Sequence, residues 1–294
     1  MDRSRPGVRS MLELVADLGP QLRQSYAATL EMELPDLGDV GRVRVYGMGG
    51  SAAAAEVLAA TFAADRFDLG IVRGYAPPAP PTPDTLHVFS SYSGNTEETL
   101  SCFEAVTTGA DDPRAVVMAS GGELADVAEA AGLPVLSVPT GLPPRASLGH
   151  GVGRLVGLVE RAGLVPAAAD AVAEAADRLD AGVERWALRG GKSALLEEWT
   201  EALRDRLVVL YAGAPVPIAA MRRLRAQLNE NAKMLAATAE LPELDHNEIV
   251  GWGHPTRARA EAVVVALRDP GEHPRVTRRF EITREVLGDR VPAW

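Results

Sequence analysis

Leu86-His-Val-Phe-Ser-Ser-Tyr-Ser-Gly-Asn-Thr-Glu-Glu-Thr-Leu100 is the stretch from which the rest of the chain can be read. Leu86–Phe89 is short, apolar and β-prone, the pattern of a buried strand. Five hydroxyl groups follow within seven residues around Gly94: Ser90, Ser91, Tyr92, Ser93 and Thr96. Asn95 with Glu98 three residues on has the spacing of a capping box, which predicts that a helix begins here. A helix N-terminus offers unpaired N–H groups and partial positive charge, so it favours an anion. Hydroxyl donors add to this, and a glycine lets the anion come close. The stretch reads as a phosphate cradle without a lysine. The plainer alternative is an ordinary polar strand-to-helix turn.

A similar unit lies upstream. Val43-Arg-Val-Tyr46 reads as a strand and runs into Gly47-Met-Gly-Gly-Ser51, then an alanine-rich helix from Ala52 to about Ala64. Gly47-x-Gly49-x-x-Ala52 also matches the dinucleotide-binding fingerprint. That site wants an acidic residue at the end of the next strand, and the strand over Leu69–Val72 ends instead in Arg73-Gly74. Arg73 would suit a 2′-phosphate, but a dinucleotide leaves the second, hydroxyl-rich loop unexplained.

Tyr75–Pro83 holds five prolines in nine residues and predicts an exposed, extended connection. Ala115–Ala119 is the next expected strand, Glu123–Ala131 a helix, and Pro134–Val138 a further strand. The order βαβαβαβαβ predicts a parallel sheet with helices on both faces. Ligands in such sheets bind beyond the carboxyl ends of the strands, where both loops emerge. Ahead of this region, residues 10–33 read as helical lead-in, with Pro20 expected to separate two helices.

Beyond it, Gly141-Leu-Pro-Pro-Arg-Ala-Ser147 sets two prolines before Arg145 and leads into a helix from about Ser147 to Ala162. An arginine held so rigidly suits an oxyanion or a phosphate; otherwise it is a surface arginine after a turn. Residues 166–203 read as helical, broken at Gly190-Gly191. A second α/β unit follows: strand Leu207–Tyr211, loop Gly213–Pro217, helix Ile218–Lys233, strand Ala262–Leu267 and a helix of about Thr277–Asp289. The expected domains are 1–152, a helical bridge 153–203, and 204–294.

Two stretches of this second half carry further chemistry. Glu230 lies between two asparagines and three residues before Lys233, a setting for an oriented general base or for an exposed Glu–Lys pair. His246 sits between Asp245 and Asn247 and can move protons near neutral pH; its alternative is a hydrogen-bonded histidine near a helix start. The other histidines have no metal-ligand spacing, and no metal site is expected. Ser91 and Ser93 lie in no Gly-x-Ser-x-Gly elbow.

Composition bounds these readings. The formal charge of -10 over 294 residues argues against a general nucleic-acid surface, so any phosphate site must be local. Cys102 is the single cysteine, which excludes a disulfide framework and a cysteine-based metal site. No apolar run approaches a membrane span and no signal peptide is evident, so a cytoplasmic protein is expected.

Gly47-Met-Gly-Gly-Ser51, Ser91-Tyr-Ser-Gly-Asn-Thr-Glu-Glu-Thr99, Pro143-Pro-Arg-Ala146, Leu228-Asn-Glu-Asn-Ala-Lys233 and Leu241-Pro-Glu-Leu-Asp-His-Asn-Glu-Ile-Val-Gly-Trp252 together resemble the bifunctional phosphoglucose/phosphomannose isomerases. The match keeps the family's order over about residues 43–252. It implies two sugar isomerase (SIS) domains, each a three-layer αβα sandwich on a parallel sheet. It also implies a sugar-phosphate substrate, a homodimer with shared active sites, and no cofactor. The reaction implied is aldose–ketose interconversion of hexose 6-phosphates through a cis-enediol(ate).

By the same resemblance, Ser91, Ser93 and Thr96 hold the phosphate while Gly49, Gly50 and Ser51 line the sugar. Glu230 shuttles the proton between C2 and C1, and Arg145 stabilises charge on the enediolate. His246, from the partner subunit, assists ring opening. Family members continue with a further strand and helix carrying a ring-opening lysine, whereas no lysine follows Lys233 here, so a shortened second domain is expected. Arg284 and Arg290 are candidate replacements, though arginine is a poor proton donor. Asp245 stands where the family pattern leads one to expect asparagine. The alternatives are an isomerase for another sugar phosphate in a specialised pathway, or a regulator that binds a sugar phosphate without turnover.

Overall fold

A computed structural model describes residues 9–63, 66–109, 113–189 and 191–288, which form two compact units divided between Lys192 and Ser193. The expected helix ends at Ala64 and Asp289, and Arg290, fall outside the described residues.

The first unit opens with α1 (Met11–Val15) and α2 (Leu18–Leu30). The break falls at Ala16-Asp17, not at Pro20, which occupies the first turn of α2. A proline is tolerated there because the first-turn N–H groups lack helical partners anyway. Then come β1 (Arg42–Tyr46), α3 (Gly49–Leu58, extended by a π-helical turn Ala59–Ala63), β2 (Asp68–Val72) and β3 (Thr85–Ser91). They are followed by α4 (Glu97–Thr108), β4 (Ala115–Ala119), α5 (Glu123–Ala130), β5 (Val135–Ser137), α6 (Leu148–Arg161) and α7 (Ala169–Arg185). The sheet order is β2-β1-β3-β4-β5, with every pairing parallel.

The proline-rich segment crosses from β2 to β3 as the extended connection expected of it, so the sheet has one helix fewer than the order βαβαβαβαβ requires. Five prolines fix extended backbone and remove N–H donors, so the crossover runs over the surface as coil.

Period-two alternation sorts the strand residues onto two faces. Val43, Val45, Leu86 and Val88 join Leu22, Tyr26 and Leu155 in one core, while Tyr46, Phe89 and Val117 join Phe103 and Leu124 in the other. The sheet is thus covered by α2, α3 and α6 on one side and by α4 and α5 on the other. Gly149, Gly153 and Gly157 on α6 face α2 so closely that an added Cβ would come within 2.6–2.8 Å of Leu18 O, Leu22 O or Thr29 Cβ. Only glycine allows this approach of two helix backbones. Both α6 and α7 pack on α2, so the first unit continues through them.

The second unit runs α8 (Ala194–Leu203), β6 (Leu207–Ala212), α9 (Pro215–Gln227), β7 (Ala236–Glu240) and α10 (Glu248–Gly251). It closes with α11 (Thr256–Glu261), β8 (Ala262–Leu267) and α12 (Pro274–Leu287). Its sheet is β7-β6-β8, again parallel. Helix α9 begins earlier than expected because Pro215 supplies a pre-set φ at its first position. Val208, Leu210 and Met221 pack on the α9 face, and Val209, Tyr211, Leu244 and Phe280 on the α12 face. No described helix is long and apolar enough to cross a membrane.

Candidate functional site

In the first unit three loops meet at the carboxyl edge of the sheet. β1 and β3 are neighbours, so the loop after Tyr46 and the loop after Ser91 emerge side by side. They touch directly: a Cβ on Gly47 would lie 2.7 Å from Ser90 O, and Tyr92 N–H donates to Ser51 Oγ at 3.3 Å. Gly49 opens α3 with φ +49°. Against Gly50 lies the third loop, since a Cβ there would sit 3.1 Å from Pro144 O.

The hydroxyl loop is tightly wound. Ser91 and Thr96 hydroxyls share a hydrogen bond of 2.7 Å, and Ser91 Oγ also accepts from Gly94 N–H at 3.1 Å. Ser93 is exposed, and its Oγ accepts from Asn95 N–H at 3.2 Å. Ser51 and Ser93 hydroxyls therefore act only as acceptors within the loops, which leaves their own hydrogens for a ligand. Gly94 has φ +71°, and a Cβ there would fall 1.8 Å from Gly121 O. No side chain fits.

The expected capping box does not form. α4 starts at Glu97 with Thr96 as its N-cap residue, and no side chain caps it. Asn95 Oδ1 instead accepts from Glu123 N–H at 3.0 Å, capping α5 on the next strand–helix unit. Leu124 N–H donates to Gly94 O at 2.9 Å alongside it. The free N–H groups at the start of α4 are consequently left to whatever the loop binds.

Arg145 occupies a 3-10 turn, Pro144–Ala146, pinned from two sides. Ala146 O accepts from Gln21 Nε2 of α2 at 2.9 Å. Tyr92 OH donates to Pro139 O at 2.9 Å and accepts from Leu142 N–H at 2.8 Å. Tyr92 thus ties the hydroxyl loop to the arginine loop. In sequence Tyr92 is one hydroxyl among five, marked out only by its place inside that loop. Arg73, weighed for a 2′-phosphate, is paired with Glu56 at 2.6 Å.

In the second unit Glu230 is exposed in a π-helical turn, Leu228–Ala232, that ends α9. Lys233 closes it with φ 59°, and its Nζ donates to Glu230 O at 2.6 Å, so the expected Glu–Lys relation runs to the backbone. Asn229 Oδ1 accepts from Ala236 N–H at 3.0 Å and fixes the turn against the start of β7.

His246 ends a 3-10 turn, Glu243–His246, and is exposed. Its neighbour Asp245 accepts from Arg279 Nη1 and from Thr283 Oγ1, each at 2.9 Å, which locks the turn onto α12. Tyr211 OH donates to Glu248 at 2.7 Å and accepts from Trp252 Nε1 at 2.8 Å, and burial pushes its pKa up. The asparagine expected at Asp245 would lose the ion pair with Arg279.

Glu230 and His246 sit in separate turns, one before β7 and one after it. Leu228 packs on the α9 face of the sheet and Leu244 on the α12 face.

Residues 195–293 match the family model of the bacterial phospho-glucose isomerase C-terminal SIS domain. The sequence is 32% identical over 282 residues to a bifunctional phosphoglucose/phosphomannose isomerase from Caldicellulosiruptor bescii, an alignment covering 94% of this chain and 82% of that protein. A protein of the same name from Aquifex aeolicus is 32% identical over 221 residues, covering 74% of this chain and 63%, under two thirds, of its own length. Among solved structures, a hypothetical protein from Thermus thermophilus superposes with a TM-score of 0.71 at 17% identity, covering 99% of this chain and 79% of that one. That likeness concerns the fold alone.

Proposed function

The chain belongs to the bifunctional phosphoglucose/phosphomannose isomerase family, and on that premise we propose how its residues divide the work. It is an aldose–ketose isomerase for sugar phosphates, interconverting glucose 6-phosphate or mannose 6-phosphate with fructose 6-phosphate through a cis-enediol(ate). Each compact unit is one SIS domain. The observation that carries the reading is the family relation, which extends over 94% of the chain and so includes both units.

The first unit binds and stabilises. Ser93 and Thr96, with Ser91 behind them, hold the phosphate at the start of α4 with the N–H groups of its first turn. Gly49, Gly50 and Ser51 line the sugar; Gly49 supplies φ +49°, and a Cβ on Gly50 would crowd the Pro144 carbonyl. Arg145 sets a permanent positive charge on the enediolate oxygens, and its pinned turn keeps that charge in place before substrate arrives.

The second unit supplies proton transfer. Glu230, as the carboxylate, takes the proton from C2 of the aldose and returns it to C1, giving the ketose. Its neighbours fix the turn that carries it. His246 of the partner subunit opens the sugar ring. The working form is therefore a homodimer that shares its sites.

The test is an NMR time course with fructose 6-phosphate in D₂O. The aldose 6-phosphate should appear carrying deuterium at C2, and Glu230→Gln should slow this by roughly 10²-fold or more while phosphate affinity stays near normal. Undiminished turnover in Glu230→Gln would remove the assignment of the base.

A further inference from the structure

A second polar cavity opens in the first unit, beside the cradle and outside it. It has a volume of about 350 Å³ and lies where β4 and β5 end against α2 and α6. Gln24 and Ser25 of α2, Ser120 and Thr140 beyond the strands, and His150 and Arg154 of α6 line it. The lining carries hydroxyls, an imidazole and a guanidinium, and no carboxylate.

Arg154 is the unusual group. Its Nη1 donates to Thr29 Oγ1 at 3.2 Å and its Nη2 to Ser137 O at 2.7 Å, both neutral acceptors. Its Nε is buried and has no hydrogen-bond partner. No Asp or Glu among the described residues reaches it. Two other partly buried arginines are paired with acids: Arg44 with Asp68 and Arg279 with Asp245. A guanidinium withdrawn from water without a counter-charge is costly. An anion in the cavity removes that cost.

His150 faces the same space. It is 5% exposed, and Ser25 Oγ holds its Nδ1 at 2.7 Å. Its Nε2 is not held by any described residue. Burial and the nearby Arg154 lower its pKa, so the ring is neutral with one nitrogen committed to Ser25.

We propose that this cavity is a binding site for a small oxyanion, a phosphate or carboxylate group of a short metabolite, seated on Arg154 and His150 with Thr140 as hydroxyl partner. It bears on the cradle through Tyr92. Ser120 Oγ donates to Tyr92 O at 2.6 Å, and Pro139, also at the cavity, accepts from Tyr92 OH. A ligand in the cavity touches the residues that hold the hydroxyl loop to the arginine loop.

The experiment is a titration of the full chain with inorganic phosphate, followed by the imidazole NMR signal of His150, assigned by its loss in His150→Gln. The signal should shift saturably, and equally so in Thr96→Val, where the cradle is weakened. Arg154→Gln should abolish the shift. Gln24→Glu, an exposed change on α2 that needs no refolding of the cavity, should weaken binding about tenfold through one added negative charge at the rim. The proposal is overturned if no saturable shift occurs. It is equally overturned if the shift disappears in Thr96→Val and persists unchanged in Gln24→Glu, since the signal would then be reporting phosphate in the cradle.

Discussion

Removing one oxygen atom tests whether Tyr92 positions the arginine loop. Tyr92→Phe leaves the ring and deletes the hydroxyl that bonds Pro139 O at 2.9 Å and Leu142 N–H at 2.8 Å. Each bond is worth about 1 kcal/mol net, so roughly 2 kcal/mol of the preference for the bound arrangement of residues 139–142 is lost. Gln21 still holds Ala146 O, and Pro144 still packs on Gly50, so the loop is loosened without being released. With Arg145 in the role proposed for it at the enediolate, half to all of that energy appears in the barrier. The expected kcat then falls about 5- to 30-fold at about 1.4 kcal/mol per decade. The phosphate-holding hydroxyls are untouched, so KM should stay within about twofold. The assay is steady-state conversion of fructose 6-phosphate by variant and parent at matched fold, checked by thermal unfolding. A tenfold rise in KM with kcat unchanged would refute the reasoning, because Tyr92 would then be supporting the cradle instead of Arg145.

Further outcomes follow from other contacts. Gly94→Ala places a Cβ 1.8 Å from Gly121 O at φ +71°, and backbone on both sides must move; a loss of about 3 kcal/mol or more in urea unfolding is expected, with phosphate affinity lost alongside. His87 is 3% exposed, and burial lowers its pKa from 6.5 to about 4. The unfolded chain then binds the proton first, so stability is full above about pH 6.5 and falls by about 3 kcal/mol toward pH 4. Urea unfolding of His87→Gln should show a flatter pH profile by that amount, and parallel profiles would contradict it. Asp245→Asn should cost about 1 kcal/mol by giving up the ion pair with Arg279 while keeping the acceptor for Thr283, as measured by denaturant midpoint.

Strands rich in branched and aromatic residues were legible from composition and period: β1, β3, β4, β6 and β8 all lie where the sequence places them. β7 was not. Ala-Ala-Thr-Ala-Glu has one branched residue, Thr238, and no apolar alternation, and it is a strand because β6 offers it a parallel edge. Asn95 misled for a related reason: capping-box spacing is local, while its actual partner Glu123 lies 28 residues on. Likewise the Tyr92 tie to Pro139 spans 47 residues and has no signature in either segment. The glycine and hydroxyl loops could be read because their chemistry is written in adjacent residues. What joins them is tertiary, and a single sequence holds no local trace of it.

The cap that Asn95 lends to α5 makes two successive strand–helix turns a single cooperative element. The hydroxyl loop cannot open without uncovering the first turn of α5. Occupancy of the hydroxyl loop should therefore slow amide hydrogen exchange at Glu123 and Leu124, residues remote in sequence from any ligand contact. The amides at the start of α5 become a built-in reporter of substrate arrival, readable without a turnover assay.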